Sequence, residues 1–250
     1  MIYQGTSTMN FYDLDGHGDV KLTALLRHIN LSAGANAKEL GIDLDFTLSL
    51  GLGFVIQRFA LRMYKWPLYE ETVQIRTWPA EITKGTFRRN GDMHSQDGIK
   101  MAEWTGLWVL FDINARKIKR PAALPVELPR YGAMGVNIEA NRVHLPAGTA
   151  APAASFIHTV RFTDMDTFMH MNNAFYGDLV ANAIYSANPG VRASSVKEIQ
   201  FNYLNETRIG DEIRLNTHFD TSQTDCYTYH VIGTVEGRNV FAAEVIFANP

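Results

Sequence analysis

The feature that most constrains the fold is a repetition. FYDLD at Phe11–Asp15 returns as FTDMD at Phe162–Asp166 with the same Phe-x-Asp-x-Asp spacing. After the first copy, Leu22, Leu25, Leu26, Ile29, Ala33, Ala37 and Leu40 recur at steps of three and four, the stripe of an amphipathic helix, and Gly41 is a natural stop. Four segments rich in β-branched and aromatic residues follow, at Phe54–Tyr64, Thr72–Trp78, Gly85–His94 and Ile99–Phe111. In the first of them Phe59, Leu61 and Met63 alternate with Arg58 and Arg62, so one sheet face is apolar and needs a cover that the helix can supply. The second copy repeats the plan. Phe175, Leu179, Ala183 and Ile184 make a stripe stopped by Pro189 and Gly190, and strands are expected at Val196–Leu204, Glu212–Phe219, Cys226–Val235 and Asn239–Phe247. The last hairpin is matched too, Asp97-Gly98 in one half against Glu236-Gly237 in the other. Helix-then-strands recurs by chance in many α+β chains, but a shared opening motif, order and turn favour duplication.

Between the copies the pattern breaks. Five of the nine prolines (Pro121, Pro125, Pro129, Pro146 and Pro152) fall between Asp112 and Ser155, which reads as a linker carrying at most a short helix. The expected division is a domain at 1–122, a linker at 123–155 and a second domain at 156–250. With 46% hydrophobic and 20% charged residues each half can bury a core, and two such sheets can pair edge to edge and protect their strands.

Charge and cysteine usage remove several functional classes. A net charge of −3 argues against general nucleic-acid binding, and one cysteine, Cys226, excludes an internal disulfide framework and a thiolate zinc site. The N-terminal residues show no basic segment followed by an apolar run, and no stretch approaches the roughly 18 apolar residues of a membrane span, so a cytoplasmic protein is expected. No G-x-S-x-G, P-loop or G-x-G-x-x-G pattern occurs.

Only the second copy is equipped for chemistry. It reads Asp164-Met-Asp166-Thr-Phe168-Met-His170-Met-Asn172-Asn173, and where it has His170 the first has Asp19. A histidine among carboxylates at a helix start combines an orientable base with N–H groups suited to a developing oxyanion. D-x-D-x-x-x-H-x-N-N resembles the D-x-D-x-N-x-H-V-N-N signature of the acyl-acyl carrier protein (acyl-ACP) thioesterases, and FNYLNETRIGDEI at Phe201–Ile213 resembles that family's Y-x-x-E-[CS]-x-x-G-D stretch. The likeness extends to the strand before Pro67, the Thr77-Trp78 pair and the Trp104–Phe111 strand. It implies two tandem hotdog domains, each an antiparallel sheet wrapped around a central helix.

The resemblance further implies hydrolysis of fatty-acyl-ACP to free fatty acid and holo-carrier, with no cofactor. By position Asp166 is the acid that orients the histidine, His170 that histidine, and Glu206, on a facing strand, the base that activates water. Thr207 stands where plant members have cysteine, so no thiolate acyl-enzyme is expected. Asn172, Asn173 and Thr207, with the N–H groups of Asn172 to Ala174, are the expected substrate and oxyanion supports. Phe168 departs from the family, replacing an asparagine with a ring that cannot hold water.

The partner implied is a carrier protein with a phosphopantetheine-linked chain. Arg116, Lys117, Lys119 and Arg120, or else Lys84, Arg88 and Arg89, could meet it. Two fused hotdogs imitate a dimer, so a monomer or a homodimer fits. Asp13 and Asp15 are expected to shape a turn and cap a helix, and Cys226 to pack. His17, His28 and His94 have no ligands at metal spacing, and no metal is expected. A non-catalytic acyl-binding module, an acyl-CoA thioesterase and a hotdog dehydratase stay open as alternatives.

Overall fold

A computed structural model describes residues 1–145, 151–220 and 226–248. The chain forms two units, one of Met1–Met9 with Arg27–Ala140, the other of Asn10–Leu26 with Asn141–Pro250. The first Phe-x-Asp-x-Asp motif is thus part of the second unit.

The first unit holds β1 (Tyr3–Thr8), most of α1 (Leu22–Glu39), the short α2 (Leu44–Ser49), β2 (Leu52–Met63), β3 (Thr72–Thr83), β4 (Thr86–Ser95), β5 (Lys100–Asp112) and β6 (Lys117–Lys119). Its antiparallel sheet runs β1-β3-β4-β5-β2, with β6 on the end of β5. Gly41 ends α1 as expected. At φ 69° it lets its own N–H reach Lys38 O (3.1 Å) and that of Ile42 reach Ala37 O (2.9 Å), satisfying carbonyls the helix leaves open. Part-buried polar contacts tie the helix to β1 and the residues before it: His28 Nδ1 meets Ser7 Oγ at 2.5 Å, and Asn36 Nδ2 donates to Met1 O at 3.3 Å. Ile42, Leu52, Phe87, Leu110, Leu124 and Leu128 form one core cluster, against which Ala37 and Leu40 of α1 pack. Trp104 lies over Gly91, where any Cβ would collide with the indole and with Arg76 O.

Within the expected linker Leu124 and Leu128 join the cluster beside α1, and from Met134 to Ala140 the chain is a strap over the opposite sheet face. Thr77 faces α1, whereas the next residue, Trp78, points away and donates through Nε1 to Met134 O at 3.1 Å. Arg62 donates to Asn137 O at 2.6 Å and Arg58 to Ala140 O at 3.1 Å, while Ile138 and Ala140 bury against Ala60. In the second unit the strap continues at Asn141 and Val143, whose N–H groups donate to Gln200 Oε1 and Asn202 Oδ1. Pro146 lies outside the described residues.

The second unit contains β7 (Ala154–Thr159), α3 (Tyr176–Ala187), β8 (Val196–Tyr203), β9 (Glu212–Asp220), β10 (Cys226–Val235) and β11 (Arg238–Ala248), in the antiparallel order β7-β9-β10-β11-β8. The helix packs on this sheet through β7, β9 and β10, with Thr217 Oγ1 donating to Ala183 O at 3.1 Å. Each unit is therefore a hotdog, and β1 and β7 are edge strands that the sequence pattern did not reveal. The hairpins differ from expectation in one detail. Glu236 and Gly237 are both left-handed (φ 50° and 78°), a two-residue turn of the primed kind, whereas in the Asp97-Gly98 hairpin Gly98 (φ 80°) alone of the pair is left-handed and donates to Ser95 O. Among the described residues no helix is long and apolar enough to cross a membrane.

Candidate active site

The two Phe-x-Asp-x-Asp loops are built bond for bond alike. Asp13 Oδ2 accepts the N–H of Asn10 at 2.8 Å, as Asp164 Oδ2 accepts that of Arg161 at 2.8 Å. Asp15 Oδ1 takes the N–H groups of His17 (2.8 Å) and Asp19 (3.0 Å). Asp166 Oδ1 takes those of Phe168 (2.8 Å) and His170 (3.2 Å). Single bridges, Leu14 to Val20 and Met165 to Met171, close both loops. The acids thus shape backbone in both copies, which for Asp13 and Asp15 is the expected role. Where the first loop has Gly18 at φ 81°, the second has Met169 at φ 56°, a left-handed conformation that costs an L-residue about 1 kcal/mol.

The turn after β2 matches that after β8 in the same way. Tyr64 and Lys65 donate to Met101 O as Leu204 and Asn205 donate to Val240 O, and Leu68 N bonds Glu71 Oε2 as Arg208 N bonds Asp211 Oδ2. By this register His170 corresponds to Asp19, and Glu206 to Trp66. The first copy keeps the scaffold and lacks the pair. Burial works against the Asp19 charge, but bonds from Arg192 (2.7 and 2.9 Å) and Ser194 outweigh it and hold the carboxyl below its ordinary value.

In the second copy His170 Nε2 stands 3.0 Å from Glu206 Oε1. Two expectations change here. Glu206 lies in the loop beyond β8, not on a strand, because the N–H groups of Leu204 and Asn205 both turn onto Val240 O and end the pairing. Asp166 holds the loop backbone that carries His170, and the carboxylate at the imidazole belongs to Glu206.

The expected supports divide. Asn172 is a cap: its Oδ1 accepts from Ala174 N at 3.0 Å, and its own N–H is taken by Asp164 O at 2.8 Å. The N–H groups of Asn172 and Ala174 are therefore already committed within the loop. Asn173 has its carbonyl fixed by Tyr203, whose hydroxyl donates to it at 3.2 Å. Thr207 is 2% exposed, its hydroxyl 3.7 Å from Met171 Sδ, so it packs beneath the loop. Burial pushes the Tyr176 phenol up to about 12, against a hydrogen bond with Thr207, and burial also raises Tyr203. One pair escaped the sequence reading: His158 of β7 donates through Nε2 to the buried Asp164 at 2.7 Å, fastening the loop to the sheet edge. A histidine six residues before the acid, outside any visible periodicity, gave no signal.

Beside the pair opens a cleft of about 500 Å³ lined by Glu206, Arg208, Asp211, Val235, Glu236 and Arg238. Of the basic groups, Arg116, Lys117, Lys119 and Arg120 are exposed together. Lys84, Arg88 and Arg89 are not one patch, because Arg88 pairs with Glu81 (3.3 Å) and Glu139 (2.7 Å) while Arg89 turns inward to Asn36 on α1. No cluster of three potential metal ligands occurs among the described residues.

The sequence matches the acyl-ACP thioesterase N-terminal domain over residues 1–123 and the C-terminal domain of the same family over residues 151–249. Dodecanoyl-[acyl-carrier-protein] hydrolase of Cinnamomum camphora is 22% identical over 200 residues, covering 74% of this chain and 51% of that protein. The chain thus spans about half the length of the curated relatives it matches. Among solved structures, an oleoyl thioesterase from Lactobacillus plantarum superposes with a TM-score of 0.81 at 21% identity, covering 100% of this chain and 95% of the other. The 12:0-ACP thioesterase from Umbellularia californica does so with a TM-score of 0.77 at 17% identity, covering 99% and 98%. Those likenesses carry the fold, and both halves matching in order carry the descent: the chain belongs to the acyl-ACP thioesterase family.

Proposed function

We propose that this protein hydrolyses the thioester of fatty-acyl-ACP to free fatty acid and holo-ACP. The observation that carries the reading is the His170–Glu206 pair at 3.0 Å beside a cleft in the unit that matches the family's C-terminal domain. In this scheme Glu206 takes a proton from water as the water oxygen attacks the thioester carbon. The carbonyl becomes an oxyanion, and collapse breaks the C–S bond while the proton passes to the leaving thiolate. His170, paired with Glu206, orients it and the water, and Asp166 holds the His170 backbone in place. Oxyanion support is assigned to Asn173 by its place in the motif, while the N–H groups of Asn172 and Ala174 are used inside the loop. Thr207 supplies no thiolate and lies buried, which favours direct attack by water over an acyl-enzyme.

Acyl carrier protein is the proposed partner, and the exposed Arg116–Arg120 run is a surface on which an acidic carrier could dock. The proposed compartment is the cytoplasm, which a single cysteine suits. The domain boundaries at 1–122 and 156–250 are kept as a proposal, as is a monomer or a homodimer. A second reading, an acyl-binding module without turnover, draws on Phe168 standing where the family has asparagine. Incubation with acyl-ACPs and acyl-CoAs of several chain lengths, with thiol and fatty acid followed by mass spectrometry, separates them. Release from acyl-ACP that falls about 10²–10⁴-fold in Glu206→Gln supports hydrolysis by this pair. Binding without release from any thioester establishes the module.

A further inference from the structure

Arg89 is a cation held inside the first unit with no anionic partner among the described residues. On β4 its Nη1 donates to Asn36 Oδ1 at 2.8 Å and to Thr77 Oγ1 at 3.4 Å, both neutral groups on fully buried residues. No acidic side chain among the described residues pairs with it, and Nε–H and both Nη2 protons have no acceptor among them. Burial lowers the guanidinium to about 10, which leaves it charged at neutral pH. An unpaired charge in such surroundings is costly, and the edge left open, Nε with Nη2, is the one that grips carboxylates bidentately. Arg89 is only partly buried, and its Nε and Nη2 are not among the side-chain atoms sealed from solvent without a partner, so that edge keeps accessible surface.

The neighbours define what would enter. Gly106 is the cross-strand partner of Arg89, and over it lies the indole of Trp108, whose Nε1 is 2.9 Å from where a Cβ on Gly106 would stand. The indole N–H has no acceptor among the described residues. One row further along the same face Phe87 stands opposite Trp108, and Ala37 and Leu40 of α1 pack against the same apolar cluster. Donors at one end and an apolar wall beyond them match an oxygen acceptor carried on an aliphatic chain.

We propose that the Arg89 fork, with the Trp108 indole N–H, is a binding site for an acceptor oxygen on an apolar chain, carboxylate best and hydroxyl or oxo next. Resting on the acyl thioesterase reading, the first source is an acyl group oxygenated away from its thioester; the second is the carboxylate of a free fatty acid.

The test measures kcat/KM of the full chain on dodecanoyl-ACP and on the ACP thioester of dodecanedioic acid, for the wild type, Arg89→Met and Trp108→Phe. A charge-assisted pair is worth about 10–100-fold. The ratio of dioic to plain substrate is expected to fall by about that factor in Arg89→Met and severalfold in Trp108→Phe, which keeps the ring and removes the N–H. In parallel, calorimetric binding of dodecanoate to the same proteins reads the second source. A loss confined to this arm assigns the site to free fatty acid. If Arg89→Met does not fold, Trp108→Phe and wild-type binding of dodecanedioate against dodecanoate decide. A substrate ratio and a fatty-acid affinity that both stay unmoved overturn the proposal. Absence of turnover on every thioester would refute the hydrolase reading instead, and the fatty-acid arm would still judge this one.

Discussion

Replacing Asp166 in two ways separates its two conceivable roles. Its Oδ1 accepts two backbone N–H groups, one at 2.8 Å from Phe168 and a longer one at 3.2 Å from His170. Bonds to a charged acceptor are worth about 1.5–3 kcal/mol each, and partial exposure and the length of the second bring the sum to about 2 kcal/mol. Asp166→Ala loses both acceptors, so the loop presenting His170 to Glu206 is populated less, and kcat/KM should fall about 30-fold. Asp166→Asn keeps a carbonyl oxygen where Oδ1 stood and loses only the charge, worth about 0.5–1 kcal/mol or a few-fold. An acid that acted on the imidazole itself would give another order, because an amide there cannot balance an imidazolium, and Asn would be at least as damaging as Ala. The assay is thiol release from acyl-ACP under subsaturating substrate, with circular dichroism to confirm folding. If Asn proves as inactive as Ala, the backbone role is wrong.

Asn173→Ala should lower kcat about 10²-fold with KM little changed if its amide supports the oxyanion, whereas Asn172→Ala should chiefly cost about 1 kcal/mol in urea unfolding as a lost cap. Equal kinetic losses in the two would remove that distinction. Asp19 gives a pH signature: its native carboxyl lies below the ordinary value of 3.8, so its stabilisation is present above about pH 4 and is lost as pH falls through the lowered native value. Thermal melts from pH 7 to 3 should show Asp19→Asn about 1–2 kcal/mol less stable at neutral pH, a figure held down by the half-exposed Arg192, with the gap closing in acid. Gly91→Ala should destabilise by about 1–3 kcal/mol, since the new methyl meets the Trp104 ring and Arg76 O. A melt like that of the wild type would contradict the packing.

What was legible in the sequence is what side chains encode. Alternation of Phe59, Leu61 and Met63 with Arg58 and Arg62 placed β2, and the stripe from Leu22 to Leu40 with Gly41 placed α1, because burial on one face selects residue type. The strap over Trp78 was hidden because its holds are backbone carbonyls, Met134 O, Asn137 O and Ala140 O, which any residue supplies. The edge strand β1 was hidden because YQGTST alternates only between half-buried and exposed positions. His170 and Glu206 were found through motif likeness. That His170 meets Glu206 depends on where β8 stops, and a hydrogen-bond switch onto Val240 O decides that. Arg88 and Arg89 are neighbouring basic residues with opposite surroundings, Arg88 paired with Glu81 and Glu139 and Arg89 turned to Asn36. Adjacent strand residues face opposite sides, and a short register irregularity in β3 near Pro79 gives no sequence cue to which of the two turns in.

The paired loops show how little of such a site is chemistry. Both are closed by the same acid-to-N–H bonds and the same bridges, so the scaffold stands whether its seventh position from the first acid is Asp19 or His170. The loop backbone therefore does not dictate the side chain at that position, which pairs with Arg192 in one copy and meets Glu206 in the other. The same holds after the strand, where Trp66 is buried and Glu206 faces a cleft in equivalent turns. The loop N–H groups of Phe168, His170, Asn172 and Ala174 serve the scaffold, so on the proposed reading the reacting groups are side chains added to it. Two positions, Asp19 against His170 and Trp66 against Glu206, then distinguish the two copies, and on the proposed reading they are what makes the second one hydrolytic.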